Sequence, residues 1–189
     1  MNPMNYFAVK YKVHGDWPPD EFLDELIAWG KAAPDEIFAP NANPADIYSL
    51  VKPQLGPWTC LPHRRAVMLE VMRCHACFES SWNWNEGVDT TNPRSMANIA
   101  GQETGIFQVS FDSIYLDHAA MKPFADAHNI GTPQTFIPAM KADHALALEY
   151  YARLVRVNVE WAGPLLRPQD VRAWLSRSAV AEFQELLAA

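Results

Sequence analysis

The stretch 64–78 contains neither glycine nor proline, and Val67, Val71, Cys74 and Phe78 recur in it at steps of three and four residues. That period puts them on one face of an α-helix. Ala66, Met68 and Met72 lie beside the stripe, so the helix is predicted to be largely buried. Pro62 suits its first turn, where a missing N–H costs nothing. A helix this apolar must be covered by others, and the rest of the chain supplies them. After Asp20, the residues Phe22, Leu23, Leu26, Ile27 and Gly30 share a helical face. The stretch 135–161 reads as one long helix, apolar through Ala145, Leu148, Tyr151, Ala152 and Val155. Ser110 is predicted to cap a helix over 111–118, and further turns surround Pro123. Pro168 opens a segment through Trp174, and Ser178 is predicted to cap a last helix ending in Leu186 and Leu187. The class is mainly α. Residues 1–60, broken by Pro34, Pro40, Pro44, Pro53 and Pro57, read as an ancillary layer of short helices and loops ahead of a domain over 61–189.

Composition excludes several function classes. The chain has 189 residues, 49% hydrophobic and 20% charged, enough for one core without metal or disulfide staples. Its formal charge of −7 lacks the counterion-release drive of nucleic-acid binders and disfavours anionic lipid. No apolar run approaches the roughly 18 residues of a membrane span, so no membrane insertion is expected. Residues 1–14 hold Lys10 and Lys12 but no continuous apolar core of a secretory signal, so synthesis in the cytosol is expected.

From Trp82 to Gln102 the pattern turns to Asn, Thr, Gly and Pro, a loop with a small hairpin expected near 99–109. Just before it, Glu79 falls at the end of the helix predicted over 64–78. A carboxylate there meets the negative end of the helix dipole, and Phe78, Trp82 and Trp84 lie close by to desolvate it. Both influences favour the protonated form, which a general acid needs at neutral pH. An ordinary surface glutamate at a helix end is the competing reading of this residue by itself.

Three segments in order then carry a resemblance. Glu79-Ser80-Ser81-Trp82-Asn83 ends a helix, Gly105-Ile106-Phe107-Gln108-Val109 follows a polar loop, and Tyr150-Tyr151 sit in an apolar helix ahead of the turn at 160–164 and of Ala173-Trp174-Leu175. Over roughly 60–177 the chain resembles the lysozyme-like muramidases, the superfamily of goose-type lysozymes and soluble lytic transglycosylase domains. The resemblance implies a lysozyme-like α-helical domain with a minor β-hairpin or loop region, cleaving the glycan strand of bacterial peptidoglycan. It implies that Glu79, followed by Ser80, protonates the bond after N-acetylmuramic acid. Gly105, Ile106, Phe107 and Gln108 would form the opposite side of the sugar cleft, and Tyr151 or Tyr150 would position the acid. The two tyrosines stand about 100° apart on a helix, so only one can face the cleft, and Tyr151 shares a face with Leu148 and Val155.

An inverting hydrolase also needs a second carboxylate about 6.5–9.5 Å from the acid. Glu103 and Asp89 are the leading candidates, with Glu86 and Asp112 behind them. Goose-type enzymes carry Asp where this chain has Ser110, and the Tyr-Asn pair of the family's late turn is missing. A lytic transglycosylase, in which the sugar's own 6-hydroxyl attacks, needs no such base. A lysozyme-like module that only grips glycan or protein is a third reading. A substrate outside the cytoplasm and no visible signal together suggest a type VI secretion effector, an antibacterial toxin acting in a rival's periplasm, with a cognate immunity protein occluding the cleft. A phage endolysin fits the same facts.

Cys60, His63, Cys74 and Cys77 have zinc-type identities in two pairs. Cys74 and Cys77 nevertheless follow the apolar stripe, where free cysteine behaves as a small hydrophobe, so no metal and no cofactor is expected. Cys60, just ahead of a helix N-terminus, has the setting of a peptidase nucleophile, but no histidine is placed for it by a second motif. His14, His75, His118, His128 and His144 read as surface or packing residues, and of the tryptophans Trp82 and Trp84 are the candidates for sugar stacking.

Overall fold

The computed structural model describes residues 6–88, 90 and 93–189. Its axis is the helix anticipated from the 64–78 stretch. In chain order the helices are α1 (Asp20–Ala32), α2 (Ile47–Leu55), α3 (Leu61–Ser80), α4 (Pro93–Ala97), α5 (His118–Ala127), α6 (Pro133–Ala142), α7 (His144–Val157), α8 (Gly163–Leu166), α9 (Val171–Trp174) and α10 (Arg177–Ala188). Short 3-10 turns at Asp35–Ile37, Ile99–Gly101 and Phe111–Asp117 join them. The fold is mainly helical. Pairing between extended segments is confined, among the described residues, to the bridges Val13 with Asp16 and Thr104 with Val109.

From Ala66 to Cys77 every residue of α3 is buried, because α10, α1, α9 and α8 all pack on it. Its interior carries charge as well as hydrocarbon. Glu70 and Arg73 lie fully buried and form a two-pronged pair, Arg73 Nε on Glu70 Oε2 at 2.7 Å and Nη2 on Oε1 at 2.9 Å. The Ser176 amide donates to the same carboxylate (2.8 Å), and Arg73 Nη1 reaches the Tyr11 carbonyl (3.0 Å). Partners on all sides are what make such a buried pair tolerable.

The segment before residue 60 shares this core. Phe22, Leu23, Leu26 and Ile27 of α1 are buried, and α1 packs on α3, α7 and α10. The 37–46 loop is latched by Arg156, which bonds Asp46 (2.8 Å) and the carbonyls of Ile37 and Ala39, and Tyr48 latches α2 to α3, its hydroxyl donating to the Arg64 carbonyl (2.8 Å). Phe7 and Val9 donate their amides to the two oxygens of Glu182 in α10.

Four local expectations differ. The long helix over 135–161 is two helices, because Asp143 leaves helical geometry (φ −107°, ψ 90°) and caps α7 by accepting from the Leu146 amide (3.0 Å). The hairpin near 99–109 is a single bridge from Thr104 to Val109 around a tight turn. The last helix is capped by Ser176, not Ser178. Ser110 does precede a helical segment, a 3-10 turn, but its side chain makes no cap bond there.

Candidate active site

Glu79 occupies the last turn of α3, with its side chain 19% exposed. The chain leaves this helix through two successive non-glycine residues in the left-handed region, Ser81 (φ 51°) and Trp82 (φ 61°). Such pairs are sparsely populated and need over-determined surroundings. Here the Ser81 amide returns to the Cys77 carbonyl (2.9 Å), the Trp82 amide to Ala76 (3.2 Å), and the Trp82 indole N–H to Arg73 (2.9 Å). Trp82 is thus a buried clasp over the helix end. Trp84 stacks flat on His144 at 3.8 Å, and both tryptophans meet Phe22 of α1.

The 105–108 turn lies against this helix end. The Ser80 hydroxyl donates to the Ile106 carbonyl (2.8 Å), so its hydrogen bond is made to the protein. Gly105 has φ +71°, and a Cβ there would fall 2.8 Å from the Met140 carbonyl oxygen. This position requires glycine on both counts. The Gly105 amide donates to the Glu86 carbonyl (2.9 Å), which ties the 83–87 loop to the turn. Ile106 and Phe107 are 1% exposed and face the core. Gln108, half-buried with φ 46°, closes the turn by donating from Nε2 to the Gly105 carbonyl (2.9 Å).

Behind Glu79 runs a buried line of hydrogen bonds. His75, one helical turn earlier and fully buried, places Nε2 2.8 Å from Glu79 Oε1. Its Nδ1 lies 2.6 Å from the Tyr151 hydroxyl. Tyr151 in α7 is also fully buried and stacks on Phe107 with ring centres 3.9 Å apart. Trp161, from the turn after α7, stands 6.0 Å from the His75 ring and 6.1 Å from Tyr151. Burial, with Glu79 and Cys74 nearby, holds the Tyr151 phenol far above its ordinary range, so it stays protonated. Tyr150 points elsewhere, hydroxyl to hydroxyl with Ser113 (2.6 Å), and burial raises it too.

The structure therefore brings Glu79, Ser80, the 105–108 turn and Tyr151 together. The residue that reading the sequence missed is His75, the one that joins two of them. Its signal was present as the i, i+4 spacing to Glu79, which places both on one helix face.

The other candidates lie as follows. Glu103 is exposed, one residue before the bridge that closes the turn. Glu86 is half-buried and accepts from Asn83 Nδ2 (3.0 Å). Asp112 is exposed and accepts from Asn98 (3.3 Å). Asp89 lies outside the described residues.

Cys60 is exposed, and its thiol meets the Thr59 hydroxyl at 3.7 Å. That hydroxyl also holds His63 Nδ1 (3.0 Å). Cys74 and Cys77 are buried and donate to different acceptors, Cys74 to Glu70 (3.6 Å) and Trp174 (3.6 Å), Cys77 to Val13 (3.3 Å). Among the described residues no group of three or more His, Cys, Asp or Glu side chains is arranged to hold a metal ion, and no helix is long and apolar enough to cross a membrane. Concavities around Gly56, His63 and Arg177 and beside Trp58 and Cys60 are not lined by Glu79.

Comparison with known proteins finds no matching family model, no matching curated protein and no matching solved structure.

Proposed function

We propose that the protein cleaves the glycan strands of bacterial peptidoglycan, with Glu79 as general acid. One observation carries the reading. A partly exposed carboxyl at the end of a buried helix sits beside a turn pinned to that helix through Ser80 and Ile106. Glu79 gives its proton to the glycosidic oxygen after N-acetylmuramic acid, and Gln108 offers polar contact to the sugar from the turn. A second carboxylate, Glu103 or Asp89, activates water if the enzyme is a hydrolase. Delivery by a type VI secretion machine into a rival's periplasm, and a cognate immunity protein covering Glu79, complete the proposal.

The test is digestion of purified sacculi followed by mass analysis of the products. Reducing-end fragments support a muramidase, and 1,6-anhydro ends support a lytic transglycosylase using the same acid. Intact glycan with bound protein means a non-catalytic module, and shortened stem peptides lost on thiol alkylation mean a Cys60 peptidase. Either outcome overturns the proposal. Glu79→Gln should lower glycan cleavage by about 10²–10⁴-fold, with circular dichroism and melting temperature unchanged. Cleavage at the parent rate in that variant removes Glu79 from the mechanism.

A further inference from the structure

We propose that His75 is a positioning residue that commits one oxygen of Glu79 to the protein, so that the other oxygen carries and delivers the proton. The proposal rests on the reading of Glu79 as the acid, but the hydrogen-bond pattern beneath it can be tested without any activity.

The argument is one of donors and acceptors. A neutral imidazole has one of each, and buried polar atoms are paired. His75 and Tyr151 are fully buried. Among the described residues the Tyr151 hydroxyl hydrogen-bonds to His75 Nδ1 alone (2.6 Å), with Phe107 and Trp161 packed around the phenol. The phenol keeps its proton, so that proton must point at Nδ1 or be stranded among rings. Leaving it stranded forfeits a buried hydrogen bond and leaves the desolvation cost of the hydroxyl without an offset. Nδ1 is therefore the acceptor, the ring proton sits on Nε2, and Nε2–H donates to Glu79 Oε1.

This pattern is compatible with both states of the acid. When Glu79 is protonated, Oε1 accepts from Nε2–H and the carboxyl proton is carried on Oε2. During cleavage that proton passes to the glycosidic oxygen, which also takes the electron pair of the breaking C–O bond. The charge left on Glu79 is then met by the Nε2–H already in place. A preorganised donor costs no reorganisation at that moment. The ring itself gains and loses no proton, so it acts through Glu79 and not on substrate. Tyr151 selects the tautomer, a role usually given to the far partner of a histidine.

The experiment is a long-range ¹H–¹⁵N spectrum of the imidazole nitrogens in the full-length protein at neutral pH. His75 is assigned by the signals lost in His75→Gln. The expected result is a protonated Nε2 and a bare, hydrogen-bonded Nδ1, with Tyr151→Phe moving Nδ1 toward a free imine or mixing the tautomers. A wild-type ring protonated at Nδ1, or at both nitrogens, overturns the proposal. On sacculi, His75→Gln, whose amide keeps a donor near the Nε2 position, should retain kcat within about tenfold. His75→Leu should lose about a hundredfold or more in kcat with little change in KM. If His75→Leu does not fold, the wild-type spectrum and the Tyr151→Phe shift still decide the matter. Parent-rate cleavage by a folded His75→Leu rejects the positioning role. Failure of the wild type to cleave glycan rejects the muramidase reading, while the nitrogen spectrum still decides the hydrogen-bond pattern.

Discussion

Individual side chains separate into those that patterning reveals and those that only packing reveals. The three cysteines are a direct case. Cys60 is exposed, whereas burial raises the Cys74 thiol well above its ordinary range and pushes Cys77 from 9.0 to about 11. The thiolate is the reactive form, so native protein should react rapidly with one equivalent of a thiol reagent at neutral pH, and with three in denaturant. The same shift has a sign for stability. The unfolded chain loses the Cys77 proton near pH 9 while the folded one holds it to about 11, so rising pH in that window favours unfolding. Cys77→Ala should flatten the alkaline limb of a midpoint-versus-pH curve. Gly105→Ala should cost about 2–4 kcal/mol from positive φ and collision with the Met140 carbonyl, read as a lower urea midpoint at unchanged slope. The positions of Glu79, Gly105 and Tyr151 were legible because they stand in ordered motifs. His75 was not, since a histidine inside an apolar run reads as packing until α7 crosses behind it.

At the level of elements, periodicity located α1 and α3 because both carry apolar residues at helical spacing. It failed between α6 and α7, where both helices bury the same side and the stripe runs on across Asp143. The break lies in one residue: the Asp143 backbone closes α6 and its carboxylate caps α7. Asp143→Ala should cost about 1 kcal/mol in an equilibrium denaturation series, more than an Asp→Ala change on an exposed helix face. The expected hairpin failed for a related reason. The chain runs as 3-10 turns at Ile99–Gly101 ahead of Thr104 and at Phe111–Asp117 after Val109, so few extended residues are left to continue the ladder. Inside α3 the Glu70–Arg73 pair predicts a larger effect. Glu70→Ala strands a buried guanidinium and should cost about 3–5 kcal/mol.

Over the whole molecule, one hydrophobic core runs through residues on both sides of position 60. Gly30 shows how closely the two parts meet, since a Cβ there would come 2.8 Å from Leu69 and 3.1 Å from Leu187. A chain reduced to 61–189 should therefore lose the single cooperative melt of the intact protein and bind a hydrophobic dye, because α3 would present its α1-facing side to water. That dependence was hidden in the sequence, where prolines dominate residues 34–57 and the latches made by Arg156 and Tyr48 have no local pattern.

The hydrogen-bonded line from Glu79 runs inward and ends on a different helix, at a phenol with no surface of its own. On the proposed reading of Glu79 as the acid, a screen that sorts random variants for soluble expression and then for lost glycan cleavage should recover hits at codon 151. A substitution at that buried position leaves every side chain at the surface as it was.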